Sequence, residues 1–492
     1  MKIDLINKDF LDFKSNLLIL PVFEDNNYNE LEEVDSKLNK RISELKKEKE
    51  FECKLNQTYL IETLGNLNYK RILLIGIGKE QELTLEKIRQ VYGTSSKIAN
   101  SLKLTNYSTI LIKTKFKSEE VLQSIIEGAN LGSYKFIKFK SDKNIKQLDN
   151  LQILTKENNK EFNKSIKLST IISDSVILAR DLINSPSSLK TPVQMGDIIK
   201  KVAKESNLKC TIFNKSQIEK LKLNSLTTVS KGSPQPPIFV ILEHKSSKKD
   251  KTIVLVGKGV TFDSGGINVK PWDGMKDMKR DMSGAAAVIG ILRIISLLKL
   301  NLNVIGLLPI TENMPGGNAM KPGDVIKSYS GKTIEVLHTD AEGRLILADS
   351  LSFGEKNFKP DKIIDIATLT GACPIALGNL SAGLMSNNKE LTKQIQKASE
   401  ESGEKVWELP LYEEYKKDIE SNVADLKNIG DPRSYAGTIT AGLFLKEFIE
   451  KTPWVHLDIA GTAWSEENKN YLSQGGTGYG IRLLTKFLIN QQ

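Results

Sequence analysis

Cysteine and histidine are both scarce in this 492-residue chain, which contains three of each. The cysteines lie too far apart to form a thiolate metal cage, and their odd number does not suit a disulfide framework. No histidine is spaced from another as paired zinc-binding histidines are. These shortages argue against a secreted disulfide-rich protein and fit a reducing cytosol. The six residues are Cys53, Cys210, Cys373, His244, His338 and His456.

The sequence also lacks a long apolar segment. No apolar run approaches the ~18 residues that a helix needs to cross a bilayer. Near the N-terminus, Asp4, Lys8 and Asp9 interrupt the short apolar stretches, so this region does not have the apolar centre of a secretion signal. We therefore expect a cytoplasmic protein that does not enter a membrane.

Basic residues exceed acidic ones, because 70 lysines and arginines stand against 60 aspartates and glutamates, for a net charge of +10. Such an excess can indicate an acidic partner such as nucleic acid. The lysines are scattered along the whole chain without a binding motif, which favours a solvated surface. Nucleic-acid binding, or a scaffold role for the N-terminal region, remains an alternative. The 39% apolar and 26% charged residues are typical of a soluble globular protein.

The length of the chain predicts about two or three domains. In the first part, strand-like runs such as 71–76 alternate with charged amphipathic segments, which is typical of an α/β domain. Apolar residues then recur at helical spacing over 158–182. We predict a smaller, non-catalytic N-terminal α/β domain over 1–155, a connecting helix over 156–185 and a larger catalytic α/β domain over 186–492.

The strands expected in the larger domain are continuously apolar. This pattern indicates a mostly parallel central sheet covered on both faces by helices. In open sheets of this kind, ligands bind beyond the carboxyl ends of the strands. Three of the strands lead into polar sequence, at Asp263, at His338–Arg344 and at Thr368, so we expect the active site there. The six candidate strands are 237–242, 252–256, 304–308, 333–337, 362–367 and 454–458.

Acidic residues concentrate in these polar segments. Asp340, Glu342 and Arg344 are each two residues apart. In an extended chain this spacing places all three side chains on the same side. Together with Asp263 and Asp281, the acids carry four negative charges that two divalent ions would balance. Oxygen ligands favour Mg, Mn or Zn. Each acid or lysine alone has a plainer explanation, as a helix-terminal or surface charge, so the combination carries the prediction.

At these residues the chain resembles the leucyl aminopeptidase family, also called the cytosol aminopeptidase family. The family signature Asn-Thr-Asp-Ala-Glu-Gly-Arg-Leu reads His-Thr-Asp-Ala-Glu-Gly-Arg-Leu here, over 338–345. The resemblance extends from about residue 180 to about residue 490 and does not reach the N-terminal third beyond its length and α/β character. Other matching blocks are 256–266, 274–286, 312–318, 322–324, 367–372, 424–429, 457–464 and 475–478.

The resemblance implies two metal sites in each subunit, occupied by Mn or Zn. Asp263 and Glu342 would bridge the two ions, Lys258 and Asp281 would complete one site, and Asp340 would complete the other. A lysine amine ligates a metal only when it is neutral, so metal binding would have to lower the pKa of Lys258.

The resemblance also implies the reaction, in which a metal-activated water releases N-terminal amino acids from peptides with broad, leucine-type preference. Lys270 would stabilise the negative tetrahedral intermediate, and Arg344 would hold a bicarbonate that acts as a general base. A homohexamer is implied as well. The residues implied to shape the substrate pocket are Met278, Thr368, Leu369 and Gly371.

One position departs from the family pattern, because His338 stands where the signature has Asn. We expect a neutral packing or hydrogen-bonding role for it, since the ligand set is complete without it. A two-metal phosphoesterase is the competing enzyme class, but such sites usually include histidine ligands, and the acidic segments contain no other histidine.

Overall fold

The computed structural model describes residues 1–142, 145–246 and 251–492. The chain forms two compact units. The first comprises Met1–Asp174 and Glu467–Gln474, and the second comprises Ser175–Glu466 and Gly475–Gln492. Their boundary lies within a long helix in the segment for which we predicted one, whereas the assignment of catalysis to 186–492 stays a prediction.

The first unit contains a six-stranded sheet in the order β1-β6-β5-β2-β4-β3. Its described pairings are parallel except for the antiparallel pair β3–β4. Helices cover the sheet, which is why β2 is apolar and buried over most of its length. The elements are β1 (Lys2–Ile6), β2 (Ser15–Phe23), α1 (Asn29–Lys37), α2 (Arg41–Lys47), β3 (Thr58–Glu62), β4 (Tyr69–Gly78), α3 (Leu85–Ser101), β5 (Asn106–Ile110), α4 (Ser118–Ser133), β6 (Asn150–Leu154) and α5 (Phe162–Asn184), the last of which contains the unit boundary.

The second unit is larger and begins within α5. Its further elements are α6 (Pro192–Glu205), β7 (Lys209–Phe213), α7 (Lys215–Lys220), α8 (Asn224–Ser230), β8 (Ile238–His244), β9 (Thr252–Gly257), β10 (Gly259–Asp263), α9 (Trp272–Met275), α10 (Ser283–Leu298), β11 (Asn303–Asn313), β12 (Val325–Lys327), β13 (Thr333–Glu335), α11 (Gly343–Phe358), β14 (Lys362–Ala367), α12 (Ala372–Leu377), β15 (Ser381–Ser386), α13 (Lys389–Ser402), β16 (Lys405–Glu408), β17 (Leu426–Lys427), α14 (Gly437–Lys446), β18 (Trp454–Asp458), β19 (Trp464–Ser465), β20 (Gly475–Gly476) and α15 (Ile481–Ile489).

A nine-stranded mixed sheet organises the second unit, in the order β16-β15-β18-β14-β9-β11-β8-β7 with β10 paired to β11. The four central strands β18, β14, β9 and β11 are parallel neighbours. Because parallel strands end at the same edge, the segments after β9 and β14 meet there. The α/β fold with a central parallel sheet is therefore confirmed.

One expected strand lies elsewhere. Residues 333–337 do not join the central sheet, because β13 spans three residues and pairs with β12 and β17 in a separate three-stranded sheet. The acidic segment after β13 consequently approaches the edge of the central sheet from outside it.

The helix α10 is buried along nearly its whole length. By length and composition, the helical stretch Trp272–Leu298 is apolar enough to cross a membrane, but 83% of its most apolar window is buried inside the protein. A core helix of a globular domain has the same properties, so its apolar character is explained by packing against the sheet.

Candidate metal centre

Two neighbouring parallel strands bring the first functional groups together. Lys258 follows β9 directly, and Thr368 follows β14 directly. The side-chain nitrogen of Lys258 donates to the carbonyl oxygen of Thr368 at 2.9 Å. The same nitrogen lies 2.8 Å from Asp281 Oδ2 and 2.8 Å from Glu342 Oε1. A single buried lysine therefore connects two strand ends and two carboxylates.

Three carboxylates converge beside Lys258. Ligand atoms of Asp263, Asp340 and Glu342 all lie within 4.8 Å of one another. Lys270 borders this group, with its nitrogen 2.9 Å from Asp263 Oδ2 and 2.5 Å from Asp340 Oδ1. The structure thus gathers in one place the five residues predicted as metal ligands and Lys270.

The acidic segment is not extended as far as Arg344, because the chain becomes helical at Glu342. Glu342 already has helical backbone angles (φ −77°, ψ −33°) as the residue before α11. Arg344 therefore lies in the first turn of a helix, and the expectation of an extended segment that aims three side chains to one side is wrong. Asp340 and Glu342 nevertheless converge, because the turn between them folds both carboxylates toward Asp263.

A close backbone approach makes room for Lys258. A Cβ atom on Gly343 would lie 2.6 Å from Cε and 2.7 Å from Nζ of Lys258. Both distances are much shorter than a van der Waals contact. Gly265 has φ +91° directly after the loop leaves Asp263, a conformation that glycine adopts without strain. These glycines let the chain pass close to the carboxylates.

Asparagine side chains hold the acidic residues in place. The Asn313 amide donates to Asp263 Oδ1 at 2.8 Å and to the Thr339 carbonyl at 3.1 Å. Asn428, which is fully buried, accepts from the backbone N–H of Leu337 and of His338 and donates to the His338 carbonyl at 2.7 Å. We did not predict a role for either asparagine, although both lie in blocks that match the family.

The charges in this cluster shift one another's protonation. Burial, with the carboxylates of Asp263 and Glu342 added, raises the pKa of Asp281 to about 8 despite the nearby Lys258. The same causes raise the pKa of Asp340 to about 7. Burial disfavours the charge on Lys258, but the surrounding carboxylates outweigh it and raise the pKa of the lysine. In the absence of other cations, these shifts favour a charged Lys258 and a protonated Asp281 near neutral pH.

Within the described part of the chain, three carboxylate oxygens in the cluster have no hydrogen-bond partner, a property that bears on whether a metal would fit here. Asp281 Oδ2, Asp340 Oδ1 and Glu342 Oε1 are buried and receive no hydrogen bond of acceptable geometry within the described residues. Each is approached only by a lysine nitrogen at ion-pair distance. Buried carboxylate oxygens whose close partners are lysine side chains form a donor set that suits divalent ions, so the residues fit a metal.

Arg344 presents a second kind of site. Its side chain is buried, and its Nε and Nη1 groups have no hydrogen-bond partner among the described residues. Burial lowers the pKa of the guanidinium to about 10, although Glu342 and Asp458 oppose that shift. A buried guanidinium with unpaired N–H groups is suited to bind a small planar anion.

The predicted pocket residues lie around the carboxylates in different ways. Thr368 is buried and donates to Asp281 Oδ1 at 2.7 Å. Met278 lies in a short helical turn just before Asp281. Leu369 is partly buried, and Gly371 is exposed with nothing within 4 Å of the position of a Cβ.

A cavity opens on the other side of the cluster. It has a volume of about 400 Å³ and shares Lys270 with the acidic group. The other residues that line it are Phe262, Trp272, Met275 and Lys276. The sequence did not single these four out, since an exposed tryptophan at the start of a four-residue helix carries no recognisable spacing.

His338 lies beside the cluster without joining it. Its Nδ1 accepts from the backbone N–H of Asp340 at 3.3 Å, so its ring proton resides on Nε2. Burial, with Lys270 and Arg344 nearby, lowers its pKa. Both observations agree with the expected neutral, hydrogen-bonding residue.

Buried carboxylates beside lysines at the strand ends of an α/β unit are the kind of site that metal-dependent hydrolases use. The comparisons with known proteins specify this class further. The model of the cytosol aminopeptidase family catalytic domain matches residues 177–485, and the model of its N-terminal domain matches residues 19–143. The chain belongs to the cytosol aminopeptidase family, and it is a metal-dependent aminopeptidase. The N-terminal match extends the resemblance to a region in which we found no motif.

Relatives and solved structures agree along nearly the whole length. A probable cytosol aminopeptidase of Geotalea uraniireducens is 44% identical over 462 residues, which cover 93% of each chain. One of Clostridium perfringens is 40% identical and covers 96% of each chain. A mutant tomato leucine aminopeptidase matches with a TM-score of 0.90 and 33% identity, covering 100% of this chain and 96% of its own. The bottromycin maturation enzyme BotP in complex with Mn matches with a TM-score of 0.86 and 30% identity, covering 97% of this chain and 100% of its own.

Proposed function

We propose that this aminopeptidase holds two divalent ions in the acidic cluster. Asp263 and Glu342 would contact both ions, Lys258 and Asp281 would complete one site, and Asp340 would complete the other. The observation that carries the proposal is the convergence of three carboxylates within 4.8 Å beside a buried lysine. Mn or Zn would occupy the sites, and the manganese in the BotP complex favours testing Mn first.

Bound ions would supply a more acidic water and a polarised substrate carbonyl, which are the two requirements of peptide hydrolysis. The carbonyl oxygen of Thr368 would orient the amine of Lys258 so that it can bind a metal ion. A neutral amine keeps two N–H groups and one lone pair, and a bond from one N–H to Thr368 would leave the lone pair only two directions, both away from Thr368. Loss of the proton from Lys258 is the step that metal binding must drive.

Lys270 is proposed to remain charged through the reaction. Its pKa is raised because the carboxylates of Asp263, Glu342 and Asp340 outweigh its burial. It lies at the edge of the cluster, on the wall of the cavity. A fixed cation there would stabilise the negative oxygen that develops when water attacks the peptide carbonyl.

Arg344 is proposed to hold bicarbonate, which would accept the proton of the attacking water. Its unpaired Nε and Nη1 groups leave N–H donors available to hydrogen-bond such an anion. The N-terminal residue of the peptide, with broad leucine-type preference, would lie against Met278, Thr368, Leu369 and Gly371.

The test is a metal-exchange assay. Purified protein is treated with a chelator, dialysed and assayed with leucyl anilide before and after addition of Mn²⁺ or Zn²⁺. We expect activity to disappear with the metal and to return with it. Activity that survives complete metal removal would contradict the proposal. A phosphate ester assayed in parallel would reveal the competing phosphoesterase class.

The protein is proposed to act on peptides in the cytoplasm as a homohexamer, in keeping with the family to which it belongs. Light scattering coupled to size-exclusion chromatography would measure about six times the 54.8 kDa chain mass. Retention on immobilised DNA that decreases with salt would support the alternative partner suggested by the positive charge.

A further inference from the structure

The turn after β14 is anchored by a carboxylate on the neighbouring strand. Asp458, the last residue of β18, accepts from the backbone N–H of Leu369 and of Thr370, each at 3.1 Å. It also accepts from Thr370 Oγ1 at 2.7 Å and from the backbone N–H of Ala460 at 3.1 Å. Asp458 is completely buried. Its carboxylate therefore receives four hydrogen bonds, three of them from one turn.

The same turn contacts the acidic cluster from its other side. The Thr368 carbonyl accepts from Lys258 at 2.9 Å, and the Thr368 hydroxyl donates to Asp281 Oδ1 at 2.7 Å. Lys258 and Asp281 are the residues proposed to complete one of the two metal sites. Thr368 is thus the connection between the anchored turn and that half-site.

A carboxylate is the group that suits this anchor. Every neighbour that contacts the Asp458 oxygens is a donor, so an amide at this position would turn an N–H group toward other N–H groups. A buried donor left without an acceptor costs roughly as much as a lost hydrogen bond. The turn would relax, and its contacts with Lys258 and Asp281 would lengthen.

We propose that Asp458 is a positioning residue for the half-site of Lys258 and Asp281, acting through the Thr368–Thr370 turn. This inference rests on the proposed function, since it assigns Asp458 to one of its two metal positions. It does not place Asp458 in contact with metal or substrate. It would determine the positions of the Lys258 amine and the Asp281 carboxylate.

The experiment is a calorimetric titration of metal-free protein with Mn²⁺. In Asp458→Asn we expect one of two binding events to weaken by about ten- to a hundredfold, the range for groups that orient metal ligands, while the other event keeps its affinity. The matched control is Asp349→Asn. Asp349 is equally buried and accepts from Ser225 and Tyr329, but it contacts no residue of the cluster.

The outcomes separate the two proposals. Wild-type affinity at both sites in Asp458→Asn, or an equal loss in Asp349→Asn, would overturn the positioning role alone. Wild-type protein that binds no Mn²⁺ would overturn the proposed function with it. If Asp458→Asn does not fold, the pair Thr370→Val and Thr370→Ser replaces it. Only serine keeps the hydroxyl that donates to Asp458, so serine should retain the affinity that valine loses, and equal affinities would refute the proposal.

Discussion

The buried side-chain nitrogen of Lys190 donates to the carbonyl oxygen of Lys279 at 2.7 Å and thereby ties the end of α5 to the turn that precedes Asp281. Its other two bonds go to the carbonyls of Leu182 and Ile183, at 2.8 and 3.0 Å. Burial holds the pKa of Lys190 well below its ordinary value. Three backbone carbonyl oxygens thus surround this buried nitrogen.

Replacing Lys190 with methionine should destabilise the second unit. The apolar side chain fills a similar volume but removes the donor from two buried carbonyls and one partly buried carbonyl, which should cost about 2–3 kcal/mol of unfolding free energy. Urea unfolding measures the change, and Lys201→Met, at an exposed lysine, is the control. Equal stability of the two variants would show that water replaces the lysine nitrogen at no cost.

Asn313→Ala should weaken metal binding without altering the ligands themselves. The amide of Asn313 orients Asp263, and loss of such an orienting bond lowers metal affinity by about ten- to a hundredfold. Titration of the metal-free variant with Mn²⁺ measures this loss. Asn357→Ala removes an exposed asparagine from α11 and should bind Mn²⁺ as the wild type does. An unchanged affinity for Asn313→Ala would mean that Asp263 keeps its position unaided.

Lys270→Met should lower kcat while metal content stays the same. Removal of a group that stabilises charge in the transition state typically reduces kcat by about 10²–10³-fold. Steady-state kinetics on leucyl anilide, with metal analysis of the same sample, provide the measurement. Lys276 is a second lysine on the same cavity, and Lys276→Met should be nearly as active as the wild type. Loss of bound metal in Lys270→Met would assign this lysine to the metal site instead.

Metal binding should release protons in a pH-dependent manner. The pKa of Asp281 is raised to about 8 and that of Asp340 to about 7, and both must be ionised to ligate a metal. Below these values, metal displaces protons from the acids in addition to the one that Lys258 must lose. Affinity should therefore rise with pH, and proton release should fall toward about one per protein above pH ~9.

Calorimetry in buffers of different ionisation enthalpy counts these protons. In Lys258→Met the proton contributed by the lysine should disappear. Release that does not vary with pH would contradict the raised pKa values of the two acids.

His338→Asn should change little. The imidazole is neutral because its pKa is lowered, and an amide can likewise accept from the Asp340 N–H. We expect the pH profile of kcat to keep its shape and kcat/KM to change by no more than the equivalent of about 1 kcal/mol. A strong shift of the pH optimum or of the Mn-to-Zn preference would show that His338 takes part in the chemistry.

The sequence predicted the central strands β9, β14 and β18 because each is a continuous apolar run. It also indicated the carboxylates Asp263, Asp340 and Glu342, which the structure brings together, because acidic residues clustered in a few polar segments can be seen in the sequence, while the roles of the site residues stay a prediction. It did not predict that Arg344 would lie in a helix, because helical angles at Glu342 depend on how the turn packs.

Asn313 and Asp458 were missed for a different reason. Their importance comes from hydrogen bonds to residues distant in sequence, and a single asparagine or aspartate carries no spacing that marks such a bond. The small sheet of β12, β13 and β17 was missed likewise, since strands of two or three residues are too short to show a period.

Gly343 and Lys258 constrain one another's identity. A methyl group at position 343 would lie 2.6 Å from Cε and 2.7 Å from Nζ of Lys258, so a larger residue there must either displace the end of the lysine side chain or be accompanied by a shorter residue at 258. Either change would move the amine away from its place in the acidic cluster. In a library that randomises both positions, we therefore expect active clones to carry the glycine and the lysine as a pair, with single replacements at 343 inactive even when the protein folds.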